Sequence, residues 1–492
     1  MGYYVGADLG TSALKLLLVN SNGEILNSVT KKYELYFPKN GWSEQNPNDW
    51  WNAFCEGFLE LIKNFNTNEI KGIGIGGQMH GLVALDENDK VLRPAILWND
   101  GRTDKETEYL NTVIGKKKLL EYTANIAFAG FTAPKILWMK NNEPENFNKI
   151  HKIMLPKDYI NYRLTGVYCT DYSDASGTLL LDVKNKRWSK EMLQICSLSE
   201  KQLPRLFESY EVVGELLPDV AQKLNLPQDI RVVAGAGDNA AAAIGTATVK
   251  NSSCNISLGT SGTVFIAADD FSYDSFGGIH SFAHASGGYH LMGCILSAAS
   301  CNKWFCEEIL GTEKFSAEQQ EITDDKLGNN DVFFLPYLMG ERSPINNTDA
   351  RGTFIGLSLA TKRQDMVQSV LEGVAFAIRD CLEVAEKSGV HIKSSTLCGG
   401  GAKSPLWQKI IANTLNITVN IPFAEEGPGY GAAILAMVGT GRFKDVNAAA
   451  ESFIKYKSTV TPDPEIQKRY EKKYQKFKKI YPTLKNLFKE LK

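Results

Sequence analysis

The chain has 492 residues, a length for roughly two to four domains. Hydrophobic residues make up 43% and charged residues 22%, which fits a folded enzyme and excludes wholesale disorder. Fifty-four Lys and Arg against 56 Asp and Glu leave a net charge of −2, so no chain-wide positive field recruits nucleic acid.

The N-terminus, MGYYVGADLG, carries no basic segment followed by an apolar run, so no secretory signal is expected there. It reads as a strand at 3–5, a tight glycine turn, and a second strand from Leu14 to Val19. Pro47, preceded by Asn46 as N-cap, opens a helix. Trp50, Trp51, Phe54, Phe58, Leu61, Ile62 and Phe65 line one face of it. Ile70 to Ile75 is a strand running into Gly76-Gly77, and Leu82 to Leu85 reads as a returning strand. Ala95 to Trp98 is another short strand. Arg231 to Ala234 is a third, ending in Gly235-Ala236-Gly237.

At half length the opening pattern returns. Asp8-Leu9-Gly10-Thr11-Ser12 reappears as Ser257-Leu258-Gly259-Thr260-Ser261, an offset of 249 residues, again between β-prone runs. Two similar α/β lobes are expected, 1–248 and 249–492, joined near 246–253. The second lobe continues with a strand from Ser395 to Cys398, the turn Gly399-Gly400-Gly401, and a helix over 405–415. The tail from about 445 ends in a lysine-rich helix. Its residues Ile466, Tyr470, Tyr474, Phe477 and Tyr481 form an apolar stripe that packs while the lysines stay solvated.

Several chemistries drop out. Gly72 to Gly77 matches GxGxxG, but no helix opens at its last glycines, so a nicotinamide site is not expected. No GxxxxGK[ST] loop is present. His280 and His284 lack the Glu or Cys of a zinc motif and read as buried, hydrogen-bonded histidines. No stretch reaches the roughly 18 apolar residues of a membrane span. Nine cysteines without a CxxC pair fit reduced thiols and a cytoplasmic location.

Other features point to phosphate. Gly-Thr-Ser turns expose backbone N–H groups and hydroxyls, and such a nest either cradles an anion or is simply a β-turn. Two of them, one per lobe, suit a polyphosphate gripped from both sides. Asp8 precedes the first turn, and an acid aimed at phosphates calls for a cation such as Mg²⁺ between them. In the second turn Ser257 takes that place, so there is one metal-directing acid. Asp238, in Gly235-Ala236-Gly237-Asp238-Asn239, either caps a helix or accepts the proton of a substrate hydroxyl. Gly399 to Ala402 would let a flat base or ribose lie against the backbone.

Together these segments resemble the FGGY family of carbohydrate kinases over about residues 3–440. The carrying motifs include WSEQNP at 42–47, GGQMHG at 76–81, RPAILWNDGR at 93–102, SDASGT at 173–178, GAGDNAAAAIG at 235–245, SLGTSG at 257–262, PYLMGERSP at 336–344 and GGGAKSPLW at 399–407. The resemblance implies two ribonuclease-H-like, actin-like lobes around a cleft. It implies ATP and Mg²⁺, with Asp238 as catalytic base and Asp8 positioning the metal. Thr11, Ser12, Lys15, Gly259 and Thr260 would surround the phosphates, and Gly400, Gly401 and Ala402 the adenosine. Gln78, Met79, His80, Trp98, Asp100, Arg102 and Asn239 would build the sugar site.

Within the family, Met79-His80 stands where glycerol kinases place an Arg-Glu pair, and the resemblance is to the kinases of D-xylulose. That makes D-xylulose and ATP the expected substrates, with neither nucleic acid nor membrane as partner and a homodimer as the family's habit. The alternatives are a kinase of another ketose or polyol, or a sugar-responsive ATPase without transfer.

Overall fold

The computed structural model describes residues 2–423 and 427–491. Its first half is built on a seven-stranded sheet. Strands β1 (Tyr3–Leu9), β2 (Ala13–Asn20) and β3 (Ile25–Lys32) form an antiparallel meander. Helix α1 (Pro47–Ile62) follows, and strand β4 (Ile70–Gly77) lies parallel to β1. Asn46 caps α1 through its side chain. The helix stops at Ile62, so Phe65 reaches the same core from the loop beyond it.

Helices α2 (Pro156–Thr165) and α3 (Tyr172–Ser176) come from a long insertion. Strands β5 (Val212–Glu215), β6 (Arg231–Val233) and β7 (Ala236–Gly237) complete the sheet, in the order β5-β6-β4-β1-β2-β3 with β7 also on β4. Helix α4 (Asp238–Gly245) then leads to the second half.

The second sheet repeats the first. Strands β8 (Cys254–Leu258), β9 (Gly262–Ala268), β10 (His280–Ala283) and β11 (Tyr289–Ile295) precede the long helix α5 (Arg363–Lys387). Then come β12 (Ser394–Cys398), α6 (Pro405–Leu415), β13 (Thr418–Pro422), α7 (Pro428–Gly439), α8 (Val446–Phe453) and β14 (Tyr456–Val460). The order is β10-β11-β9-β8-β12-β13-β14. Read as 3-2-1-4-6-5 against 11-9-8-12-13-14, every neighbouring pair has the same sense, antiparallel twice, parallel twice, antiparallel once. The half-length repeat is therefore a repeat of topology, with a Gly-Thr-Ser hairpin at the same place in each sheet.

Strand alternation sets the layers. Leu14, Leu16 and Leu18 of β2 face Trp50, Phe54 and Phe58 of α1. Leu17 and Val19 face the other way and pack with Tyr430, Ala433 and Ile434 of α7. Asp8 shares the face of Tyr4 and Gly6, the α7 side. Chain from the second half thus covers one face of the first sheet. A third core, including Phe131, Ile136, Trp138 and Leu180, belongs to the insertion.

Some local expectations shift. The strand expected over 95–98 is only Ala95–Ile96. Val83–Leu85 does not return onto the main sheet but pairs with Lys152–Met154. The basic tail is two helices, α9 (Pro464–Phe477) and α10 (Ile480–Glu490), not one. Ile466, Tyr470, Tyr474 and Phe477 are buried, and Lys473 is drawn in with them to meet Glu372 at 2.6 Å. All nine cysteines are reduced thiols outside any disulfide. Among the described residues no helix is long and apolar enough to cross a membrane.

Candidate active site

The site residues gather at the C-terminal ends of β1, β4 and β7. Register places the acids. Asp8 and Ala236 both lie beside Gly76, from opposite sides of β4. Two inter-strand spacings, about 10 Å, thus separate β1 from the strand that carries Asp238. Gly429, in the first turn of α7, comes against Asp8: a Cβ built on it would stand 3.6 Å from the Asp8 Cβ. Lys15 lies directly across the hairpin from Asp8.

The first Gly-Thr-Ser turn is held by side chains. Gly10 N–H donates to the Ala13 carbonyl at 3.1 Å, closing the hairpin. The Tyr33 hydroxyl donates to the Gly10 carbonyl. Gln45 Nε2 donates to the Thr11 carbonyl at 2.6 Å, and its Oε1 accepts from Trp50 and from Gln78 Nε2. Trp98 donates its indole N–H to the Thr11 hydroxyl at 2.9 Å while remaining 41% exposed. Gln78 is only 2% exposed, so its amide is spent on this network. Ser12 projects outward.

The second turn lies at the equivalent end of the other sheet. The Gly259 and Thr260 carbonyls accept from Ala299 and Ala298 N–H at 2.8 and 2.9 Å, which ties the turn to residues 298–299. Gly399 has φ of +88°, and a Cβ there would meet the Leu258 carbonyl oxygen at 2.7 Å. The glycine turn is thereby laid directly on the end of β8. Gly400 is exposed to open space, while Gly401 and Ala402 are buried beneath it.

Asp238 is the first residue of α4, one position inside the cap, so it does not N-cap the helix. Its Oδ1 accepts from Asn239 N–H at 2.7 Å and from the Asn239 amide at 3.0 Å. Burial pushes its pKa up to about 6, against those two hydrogen bonds. Among the described residues no cationic side chain is recorded in an ion pair with it. Its charge also acts on the Cys294 thiol of β11, whose neighbour in register, Thr263, follows the second turn. Asp238 thus lies within electrostatic reach of a strand that pairs with the one leaving the second turn.

Beside it stand Met79 and His80. Asn239 Nδ2 lies 3.9 Å from the Met79 sulfur. His80 Nδ1 is 2.7 Å from the Gly177 carbonyl, so Nδ1 carries the proton and Nε2 is left as an acceptor. Burial and the nearby Lys135 hold the imidazole well below its ordinary pKa, and it stays neutral. Its ring stacks on Phe131 at 4.6 Å. The backbone there is left-handed, with φ of +69°. It is fixed by Thr132 and by the fully buried Lys135, which both donate to the His80 carbonyl, Lys135 at 2.8 Å.

Asp100 and Arg102 are placed differently from Met79 and His80. Asp100 is 2% exposed and receives Ser43 N–H, Arg102 N–H and the Arg102 guanidinium. Arg102 also meets Glu44 at 2.7 Å and lies over the rings of Trp42 and Trp138. Their polar atoms face each other, so the pair braces the segment that carries Trp98.

Sequence reasoning left Gln45, Tyr33 and Lys135 without a role. The WSEQNP motif points to Gln45, but nothing local in the sequence marks Lys135 as the clamp on His80.

A carboxylate base needs its deprotonated form. Sugar phosphorylation, read as kcat/KM for the sugar, is therefore expected to fall about tenfold per pH unit below pH 6 and to be flat above it. A profile flat down to pH 4.5 would remove Asp238 as the titrating group.

The chain is similar to known proteins over nearly its whole length. The model of the N-terminal domain of the FGGY family of carbohydrate kinases matches residues 3–245, and that of the C-terminal domain matches residues 254–440. The chain is 39% identical to the xylulose kinase of Escherichia coli (strain K12), over 98% of this chain and 99% of that one. It is 36% identical to the xylulose kinase of Staphylococcus xylosus, over 98% and 100%. Among solved structures, the xyloylose kinase of Brucella ovis superposes with a TM-score of 0.94 at 39% identity, over 99% of this chain and 100% of that one.

Proposed function

The chain belongs to the FGGY family of carbohydrate kinases, and we propose that within it the protein transfers the γ-phosphoryl group of ATP to D-xylulose, giving D-xylulose 5-phosphate. The observation that carries this reading is Asp238. Burial raises its pKa, a neutral histidine acceptor stands near it, and its place at the strand ends supports a position facing both Gly-Thr-Ser turns.

Phosphoryl transfer asks little covalent chemistry of a protein. It asks for in-line placement of the hydroxyl and neutralisation of charge. Backbone N–H groups and hydroxyls of the turns at 11–12 and 259–261 receive the phosphate oxygens, with Lys15 at the first. The adenosine lies along Gly400, with Gly401 and Ala402 forming its floor. His80 Nε2 accepts from a sugar hydroxyl, Met79 gives an apolar wall, and Asn239 holds the Asp238 carboxylate. Asp238 takes the proton of the attacking hydroxyl as the new P–O bond forms and the bond from the γ-phosphorus to the bridging oxygen breaks, releasing ADP. Gln78, Asp100 and Arg102 hold the walls that the sugar meets.

Kinases of this family use ATP, generally with a divalent metal. The residues fit Mg²⁺ rather than a metal with its own protein cage. Among the described residues no group of three or more His, Cys, Asp or Glu could hold an ion, and Asp8, opposite Lys15 across the first hairpin, is the acid at the phosphate end. Mg²⁺ is commonly held by one or two carboxylates with phosphates and water. When bound, it neutralises charge on the phosphate oxygens.

A substrate panel tests the reading. D-xylulose, D-ribulose, L-ribulose and glycerol are offered with ATP, and sugar phosphate is detected by mass spectrometry. D-xylulose is expected to have the highest kcat/KM by at least about tenfold, one well-placed hydrogen bond being worth that much discrimination. A higher value for another acceptor reassigns the substrate. ADP without any sugar phosphate makes the protein an ATPase.

A further inference from the structure

We propose that Arg342, on the second half of the chain, is a substrate-contact residue that closes the sugar pocket from the side opposite Asp238 and His80. The proposal rests on the sugar-kinase reading above.

Arg342 is delivered to the crevice by a rigid support. Glu341 beside it is 2% exposed, and its Oε1 accepts from both Leu296 N–H and Arg342 N–H at 2.8 Å. Ser343 N–H donates to the Cys294 carbonyl at 2.9 Å. The segment is thereby pinned to the end of β11, and the arginine between them is thrown forward. Its guanidinium lies 5.4 Å over the ring of Phe128. Phe128 packs edge-on against Phe131 at 5.4 Å, and Phe131 stacks on His80. The charge is felt by His80 and by the Cys294 thiol, which Asp238 also reaches.

The chemistry of the group matters here. A guanidinium presents five donors in a fixed fork and ordinarily meets a carboxylate when half-buried. Among the described residues no carboxylate forms an ion pair with Arg342, whose guanidinium reaches the Cys294 thiol. Its position over Phe128, which packs on the Phe131 that backs His80, fits adjacent oxygens of the sugar. A polyhydroxy ketone supplies such oxygens, and the sugar then ties the two halves together.

The test compares Arg342→Met and Arg342→Lys with the parent enzyme. The Met variant keeps the stem and loses the charge; the Lys variant keeps the charge and loses the fork. A charge-assisted hydrogen bond lost from a desolvated site predicts a KM for D-xylulose raised about ten- to hundredfold in Arg342→Met. A smaller rise is expected in Arg342→Lys, with the KM for ATP changed by less than about twofold in both. A xylulose KM within twofold of the parent overturns the proposal. Equal rises in both KM values overturn it too, since a merely structural arginine would disturb both ligands. The functional reading fails separately: it falls if the parent enzyme itself makes no sugar phosphate from D-xylulose.

Discussion

Asp238→Ala is expected to lower the turnover of D-xylulose by at least about 10²-fold, up to 10⁴-fold, while ATP still binds. The side chain that is lost makes no hydrogen bond to either hairpin turn. Its recorded hydrogen bonds come from its neighbour Asn239. Near-normal turnover in this variant would remove the assignment. Asp238→Asn gives a second, independent readout, because the carboxylate is held in a desolvated place without a cationic partner. Burial raises its pKa, so the folded protein bears a cost for the charge that is fully present above pH 6. The cost vanishes as pH falls below the ordinary Asp value of 3.8. The Asn variant is therefore expected to melt at a higher temperature than the parent at pH 8 and to lose that advantage at pH 4. An acid kept for packing would show the opposite, a loss of stability on substitution. Catalytic groups are commonly retained at such a cost.

The strand-turn-strand reading at 3–19, the helix from Pro47 and the Gly-Thr-Ser echo at 257–261 were legible because each is local. Alternation, an Asn-Pro start and a glycine turn are written in neighbouring residues. The pairing of sheets was legible only through that echo, which carries the whole topology with it. Two kinds of information were not. Val83–Leu85 is a short apolar run like a strand of the main sheet, yet its partner is Lys152–Met154, almost seventy residues on, and nothing in the run chooses between those partners. Likewise Asp100 and Arg102 have the composition of a sugar wall. Whether two opposite charges face a ligand or each other depends on Trp42, Glu44 and Trp138, which arrive from elsewhere in the chain. Lys135 is the plainest case. It is a lysine on an apolar helix, and its function lies in two carbonyl oxygens that only the fold brings to it.

Packing between the halves gives the second large effect. Gly431→Ala is expected to destabilise the protein by about 3 kcal/mol or more, although alanine in a helix interior is normally favoured over glycine by about 1 kcal/mol. Helix α7 lies backbone against backbone on its neighbours. A Cβ on Gly431 would stand 1.8 Å from the Ala241 carbonyl oxygen of α4, and no rotamer relieves a clash with main chain. The control is Gly57→Ala in α1, where the nearest atoms are Leu16 Cδ1 at 2.9 Å and Lys31 Cγ at 3.1 Å. Flexible side chains can yield, so Gly57→Ala is expected to change stability by no more than about 1 kcal/mol. Thermal or denaturant unfolding of the pair settles the contrast, and equal small shifts would refute the close approach. Activity follows from the same geometry. The first turn of α7 lies against Asp8, and Asp238 opens α4, so forcing the two helices apart displaces the acid at the phosphate end relative to the acid at the sugar end. Whatever fraction of Gly431→Ala remains folded is therefore expected to show a reduced kcat, whereas Gly57→Ala, on the far face of the sheet, keeps it.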